Sequence, residues 1–155
     1  MSEQAADRNP LVGLVDEITR INGRLKSAFA GIRRSAGLCE SEMMVLTAVV
    51  EAERLPTVSQ IGRSLGHPRQ LIQRAANALL TKGLIETLPN PDHKRAALLR
   101  ATRTGTALKR RADVRADRIA NGFAPALDLD EVRDTTRGLS AIRRYLEARL
   151  RGEEL

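Results

Sequence analysis

Residues 56–102 read PTVSQIGRSLGHPRQLIQRAANALLTKGLIETLPNPDHKRAALLRAT, and this stretch decides the fold. Thr57-Val58-Ser59 opens a helix that Ser59 or Thr57 can cap, with Val58, Ile61 and Leu65 on its inner face. Gly66 closes it, as a left-handed C-cap usually requires. His67-Pro68 starts a second helix, with proline in its first turn, that runs to about Lys82. Its inner face carries Leu71, Ile72, Ala75, Ala76, Leu79 and Leu80; its outer face carries Arg69, Gln70, Gln73, Arg74 and Asn77. Gly83 ends it. Leu84–Leu88 alternates as a strand, Pro89–Arg95 is a basic turn, and Ala96–Ala101 returns as a second strand with Leu98 inward. A helix, a turn, a helix and a basic hairpin together make a device for holding duplex DNA.

The outer face of the second helix carries the functional reading. Arginine can grip guanine O6 and N7 with two hydrogen bonds, and Gln or Asn can do the same to adenine. A face that is merely solvated usually mixes Glu with Lys, yet no acid occurs from Arg69 to Lys82. At the hairpin tip, Lys94 and Arg95 can lie over phosphates or enter a narrow minor groove, and Asp92 could pair with Arg95 to hold its guanidinium.

Composition agrees. Across 155 residues the net charge is +7, which points to a polyanionic partner. Aromatics make up 2%, too few for the base-stacking platforms of single-strand binders. Hydrophobic content of 42% supports one folded domain, or a small domain with a long helical appendage. A single cysteine allows no intrachain disulfide, and the polar N-terminus is unlike a signal peptide, so a cytoplasmic protein is expected with no membrane partner.

Outward from the centre, residues 1–9 carry no pattern and read as a disordered tail. From Pro10, capped by Asn9, apolar residues recur at Leu11, Leu14, Ile18, Ile21, Leu25, Ala28 and Ile32, a seam along one helix that stops near Ser35. Periodicity alone suits either a monomer core or a second subunit. Cys39–Glu42 opens a helix with Met43, Leu46, Val49 and Val50 buried, ending near Glu53. After the hairpin, a helix capped by Thr102 or Thr104 runs to about Asn121 with a charged, mostly solvated face that includes Lys109. Gly122–Pro125 interrupts it. Asp128 or Asp130 caps a last helix whose Val132, Leu139 and Leu146 stand seven apart. Two terminal seams exceed what one compact core needs, so an intertwined dimer is favoured. The expected organisation is a tail (1–9), an N-terminal dimerisation helix (10–36), a DNA-binding region (38–102) and C-terminal dimerisation helices (103–151). The fold class is mainly α with a small β-hairpin wing.

The order of elements and several motifs resemble the multiple-antibiotic-resistance regulator (MarR) family of winged helix–turn–helix transcription factors. The resemblance is clearest over Ser41–Leu108, in GLCESEMMVL, VSQIGRSLG, NALLTKGLI and NPDHKRAALLRATRTG. The family typically shows an acid, one residue and an arginine at the wing tip, then Leu-Thr-x-x-Gly. Here His93 takes the acid position with Asp92 beside it, so these two residues would support the wing, and Ala101 replaces the leucine. The resemblance implies a homodimer on a pseudo-palindromic operator, usually as a repressor, with recognition helices about 34–36 Å apart. It implies Arg69, Gln70, Gln73, Arg74 and Asn77 near bases, Arg95 in the minor groove, Lys94 on the backbone, and Ser59 and Gln60 by a phosphate. It also implies release by a small, often aromatic, anionic effector between the dimer helices and the winged lobe.

Other chemistry finds little footing. Cys39 is near a helix N-terminus, where thiol pKa can fall, which makes it a candidate redox site behind a structural reading. His67 and His93 form no metal-ligand spacing with it, and no nucleophile motif or phosphate loop occurs, so neither enzyme activity, metal nor cofactor is expected. A non-specific DNA-coating protein is the alternative from a different class.

Overall fold

A computed structural model describes residues 9–150. The elements are α1 (Pro10–Ala28), α2 (Ala30–Ala36), α3 (Glu40–Val50), α4 (Val58–Leu65), α5 (Arg69–Thr81), β1 (Ile85–Leu88), β2 (Leu98–Ala101), α6 (Arg103–Phe123), a 3₁₀ turn (Ala124–Ala126) and α7 (Leu129–Leu150). The chain forms two compact units, one up to Ala116 and the other from Asp117 onward. Apart from Asn9, the tail expected at 1–9 lies outside the described residues, as does Arg151.

The core of the first unit gathers where α3, α5 and the hairpin meet. Val45, Leu46, Ile72, Ala76 and Leu79 are almost wholly enclosed, joined by Ile61, Ile85 and Leu99. Each large aliphatic side chain contributes about 1.5–3 kcal/mol by leaving water. On α3 the enclosed face is Val45, Leu46 and Val49, while Met43 and Val50, both expected inside, are half-buried. The helix also stops at Val50, short of Glu53, with Glu51 as its C-cap.

Local signals act as their chemistry requires. Thr57 caps α4: its hydroxyl accepts the Gln60 N–H, and the Gln60 side chain accepts the Thr57 N–H in return. Gly66 and Gly83 close α4 and α5 with φ near +67°. β1 and β2 pair antiparallel, with Thr87 opposite Leu99. Leu99, not the expected Leu98, is the enclosed residue: paired with Thr87 it lies against the core, while Leu98, opposite Leu88, is half-buried. The Leu99 N–H donates to Pro56 O, tying the loop before α4 to the hairpin.

The single N-terminal helix expected from Pro10 to Ser35 is two helices. Phe29 leaves helical geometry (φ −97°, ψ 4°), turning the chain from an exposed α1 to an α2 whose Ile32 is buried. α6 runs to Phe123, two residues further than expected, and Asp128 rather than Asp130 receives the first free N–H groups of α7. Lys109, expected in solvent, is buried and bonded to Glu51 (3.0 Å) and Asp113 (2.5 Å). Burial pushes its pKa down, and the hydrogen bonds it donates to Asp113 and Glu51 outweigh that, so it lies above the ordinary lysine value.

Candidate nucleic-acid interface

Helix α5 is positioned by its inner face, where Ile72, Ala75, Ala76 and Leu79 lock into the core. That leaves Arg69, Gln70, Gln73, Arg74 and Asn77 exposed together along the opposite side. Leu71, expected inside, is exposed with them, on the flank of the helix beside the enclosed Ile72. Gln73 donates to Asn77 Oδ1 at 3.0 Å, one helical turn on, so two of these side chains hold each other.

The far end of α5 is anchored by a pair that sequence periodicity did not disclose. Lys82 Nζ donates to Glu42 Oε2 (2.7 Å) and to Gly37 O (3.1 Å), and Glu42 also accepts the Cys39 N–H (2.9 Å). Burial raises the Glu42 carboxyl pKa, and the Lys82 and Cys39 donors outweigh it, so it falls below the ordinary carboxylate value. The partners stand 40 residues apart, out of reach of any local pattern.

The wing is braced by Asn90. Its side-chain N–H donates to Ala96 O (2.9 Å), and its Oδ1 accepts the Asp92 N–H (3.0 Å), an Asx turn that closes the loop on itself. The expected Asp92–Arg95 ion pair does not occur among the described residues. Asp92 and His93 serve the wing through backbone N–H groups, both directed at Asn90. Lys94 and Arg95 are exposed at the tip.

At the base of the wing, Thr102 and Gly105 fix its direction. The Thr102 hydroxyl donates to Gly83 O (2.7 Å) and accepts the Gly105 N–H (3.0 Å). Gly105 lies so close to β1 that a Cβ there would stand 1.9 Å from Leu84 O. The Thr-x-x-Gly motif is thus a packing requirement, and alanine at 101 does not disturb it.

Between α5 and the wing lies a cleft of about 180 Å³ whose walls include Ser59, Arg69, Gln73 and Arg95. Four of the residues read from sequence therefore converge on one concavity. Gln60 does not join them, because its carbonyl oxygen is engaged in the α4 capping box and its side chain lines the α3–α4 side. Cys39 is exposed at the start of α3, its sulfur 3.2 Å from Ser41 Oγ. No cluster of metal-ligating side chains occurs among the described residues. No described helix is long and apolar enough to cross a membrane.

An amphipathic helix pair with a braced β-wing on a trihelical core defines a winged helix–turn–helix protein. The sequence model of the MarR family matches residues 36–96, the span from the end of α2 to the wing. The uncharacterized protein Rv2011c of Mycobacterium tuberculosis is 34% identical over 128 residues, covering 80% of this chain and 87% of the relative. Among solved structures, CouR from Rhodococcus jostii RHA1 bound to p-coumaroyl-CoA superimposes with a TM-score of 0.72 at 20% identity, covering 92% of this chain and 95% of that one. A Cys-to-Ser mutant of MarR from E. coli complexed with operator DNA gives 0.72 at 21% identity, covering 86% and 96%. Residues 36–96 thus form a MarR-family region, the family being that of DNA-binding, winged helix–turn–helix transcription regulators.

Proposed function

We propose that the protein acts as a homodimer that binds a pseudo-palindromic duplex operator as a repressor and is released by a small molecule. The carrying observation is the acid-free exposed face of α5 opening into the cleft whose other wall holds Arg95. On this reading, Arg69, Gln70, Gln73, Arg74 and Asn77 read major-groove edges. Ser59, Lys94 and Arg95 hold the backbone or minor groove and set the register.

Two further observations support the reading. α1 buries no residue, and Leu11, Val15, Ile18, Ile21 and Leu25 stand exposed along it. α7 likewise leaves Val132, Leu139, Ile142 and Leu146 in solvent. Such seams are covered when a second copy docks. A groove of about 350 Å³ between α2, α3 and α6 is lined by Phe29, Ile32, Met43 and Met44, with Arg33, Lys109, Glu40 and Asp113 also on its walls. Its apolar walls suit a small aromatic group, and Arg33, unlike Lys109, which Glu51 and Asp113 engage, is the cation beside them. The bound p-coumaroyl-CoA of CouR is a precedent for an aromatic acyl ligand in this fold.

Genome-wide mapping of bound sites tests the central claim. The expected outcome is a small set of sites sharing an inverted repeat, each bound about 10³-fold or more tightly than random duplex at physiological salt. Equal affinity for all duplexes would replace the regulator with a DNA-coating protein.

A further inference from the structure

A second concavity opens at the turn joining α4 to α5. Its walls are Ser59, Gly62, Arg63, Gly66, His67, Pro68 and Arg69. Ser59 and Arg69 also line the cleft between α5 and the wing, so the two hollows are neighbours along one side of the molecule. Arg63, His67 and Arg69 are all exposed, and none has an ion pair among the described residues. Here, then, three side chains that carry or can carry positive charge surround a hollow next to the DNA-reading face. Gly62 lets α4 approach the turn closely, since a Cβ there would press on His67 O at 3.0 Å.

We infer that this hollow seats a backbone phosphate of bound duplex DNA, and that His67 takes up a proton as it does so. The inference rests on the DNA-binding reading above and adds a site and a proton to it. Imidazole is the side chain whose charge changes between pH 5 and 8. A phosphate placed against it favours the charged form. The other charged group facing His67 is Glu40 at the start of α3. Its carboxyl is held below the ordinary range first by the hydrogen bond from Lys26 and more weakly by Arg33 and His67. With Glu40 engaged by Lys26 at 2.9 Å, the phosphate is the stronger new partner for the imidazolium. Binding and protonation are then linked, and affinity for DNA falls as pH rises through the histidine range.

Phosphate contacts carry no sequence information, so a random-sequence 30-base-pair duplex serves as probe. Anisotropy titrations of the full chain at pH 5.5 and 7.5, over a salt series, read both affinity and salt slope. Wild type should bind about three- to tenfold more tightly at the lower pH, with a salt slope steeper by up to about 0.9. His67→Gln should lose both differences, and His93→Gln should keep them. Arg63→Ala should flatten the slope by about one at either pH. Proton NMR of the two histidine rings gives a second reading: the His67 signal should titrate at higher pH with duplex than without. A wild type whose binding ignores pH, a response that disappears in His93→Gln instead, or a His67 titration unmoved by duplex would overturn the inference while leaving DNA binding intact. Failure of wild type to bind the duplex at any pH would overturn the DNA-binding reading itself.

Discussion

Gly105 shows how far a single absent methyl group reaches. With Leu84 O only 1.9 Å from where its Cβ would be, neither backbone can yield without moving the wing. Gly105→Ala should cost about 3 kcal/mol, seen as a lower urea midpoint. Glu42 offers a test in pH. Its folded pKa is lowered, so its contribution is fully present above the unfolded carboxylate value and disappears as pH falls through the folded one. Glu42→Gln should cost about 2 kcal/mol at pH 7 and flatten the acid limb of the stability curve below about pH 4.3. Denaturation at pH 7 and pH 3 should show the variants converging. Neither residue's role was legible beforehand in full. Gly105 sits in a recognisable motif, but its reason is a contact with Leu84; Glu42 read as a dipole-favoured acid, while its partner Lys82 comes from another helix.

At the scale of elements, periodicity served well where burial is one-sided. The outer face of α5 and the caps at Thr57, Gly66 and Gly83 could be read directly, since each is set by residues within one turn. It served poorly at edges and long-range ties. Leu71 is exposed on the flank of α5, Leu98 gives way to Leu99, Phe29 breaks a seam that looks continuous, and Lys109 is drawn inside by Glu51, which is 58 residues away. The wing was legible as a basic hairpin but the brace at Asn90 was not, because its side-chain amide bonds main-chain atoms that no charge pattern reports. The two elements proposed to face DNA should fail differently. Arg95→Ala should weaken binding to every duplex and reduce the salt slope by about one. Arg74→Ala should lose about 1–3 kcal/mol of preference at particular base pairs while retaining most of the non-specific affinity. Paired titrations against operator and scrambled duplex separate the two.

For the whole molecule, the governing question is what covers α1 and α7. If two copies pair through these seams, sedimentation at low micromolar concentration should give a dimer. Ile18→Glu, which places charge in the middle of the α1 seam, should yield monomers that keep the far-ultraviolet spectrum of folded helices and lose operator binding by about 100-fold or more. A wild-type chain that sediments as a stable monomer would remove the pairing and with it the half-site spacing. The heptad of Val132, Leu139 and Leu146 and the α1 seam were readable from sequence because they are local repeats. What covers them is not encoded locally, which is why periodicity alone left core and interface open; their exposure supports the proposed pairing.

The bond from Gln73 to Asn77 has a consequence for how operators should be described. Two amides that hold one another cannot choose their bases independently, since turning one to suit a new base withdraws a partner from the other. On the proposed reading, in which both face bases, the base pairs beneath them form a single two-letter word. A scoring matrix that adds independent contributions column by column would misjudge double changes at these positions. Tables of dinucleotides would be the proper alphabet there, and Asn77→Ala would restore ordinary letter-by-letter reading.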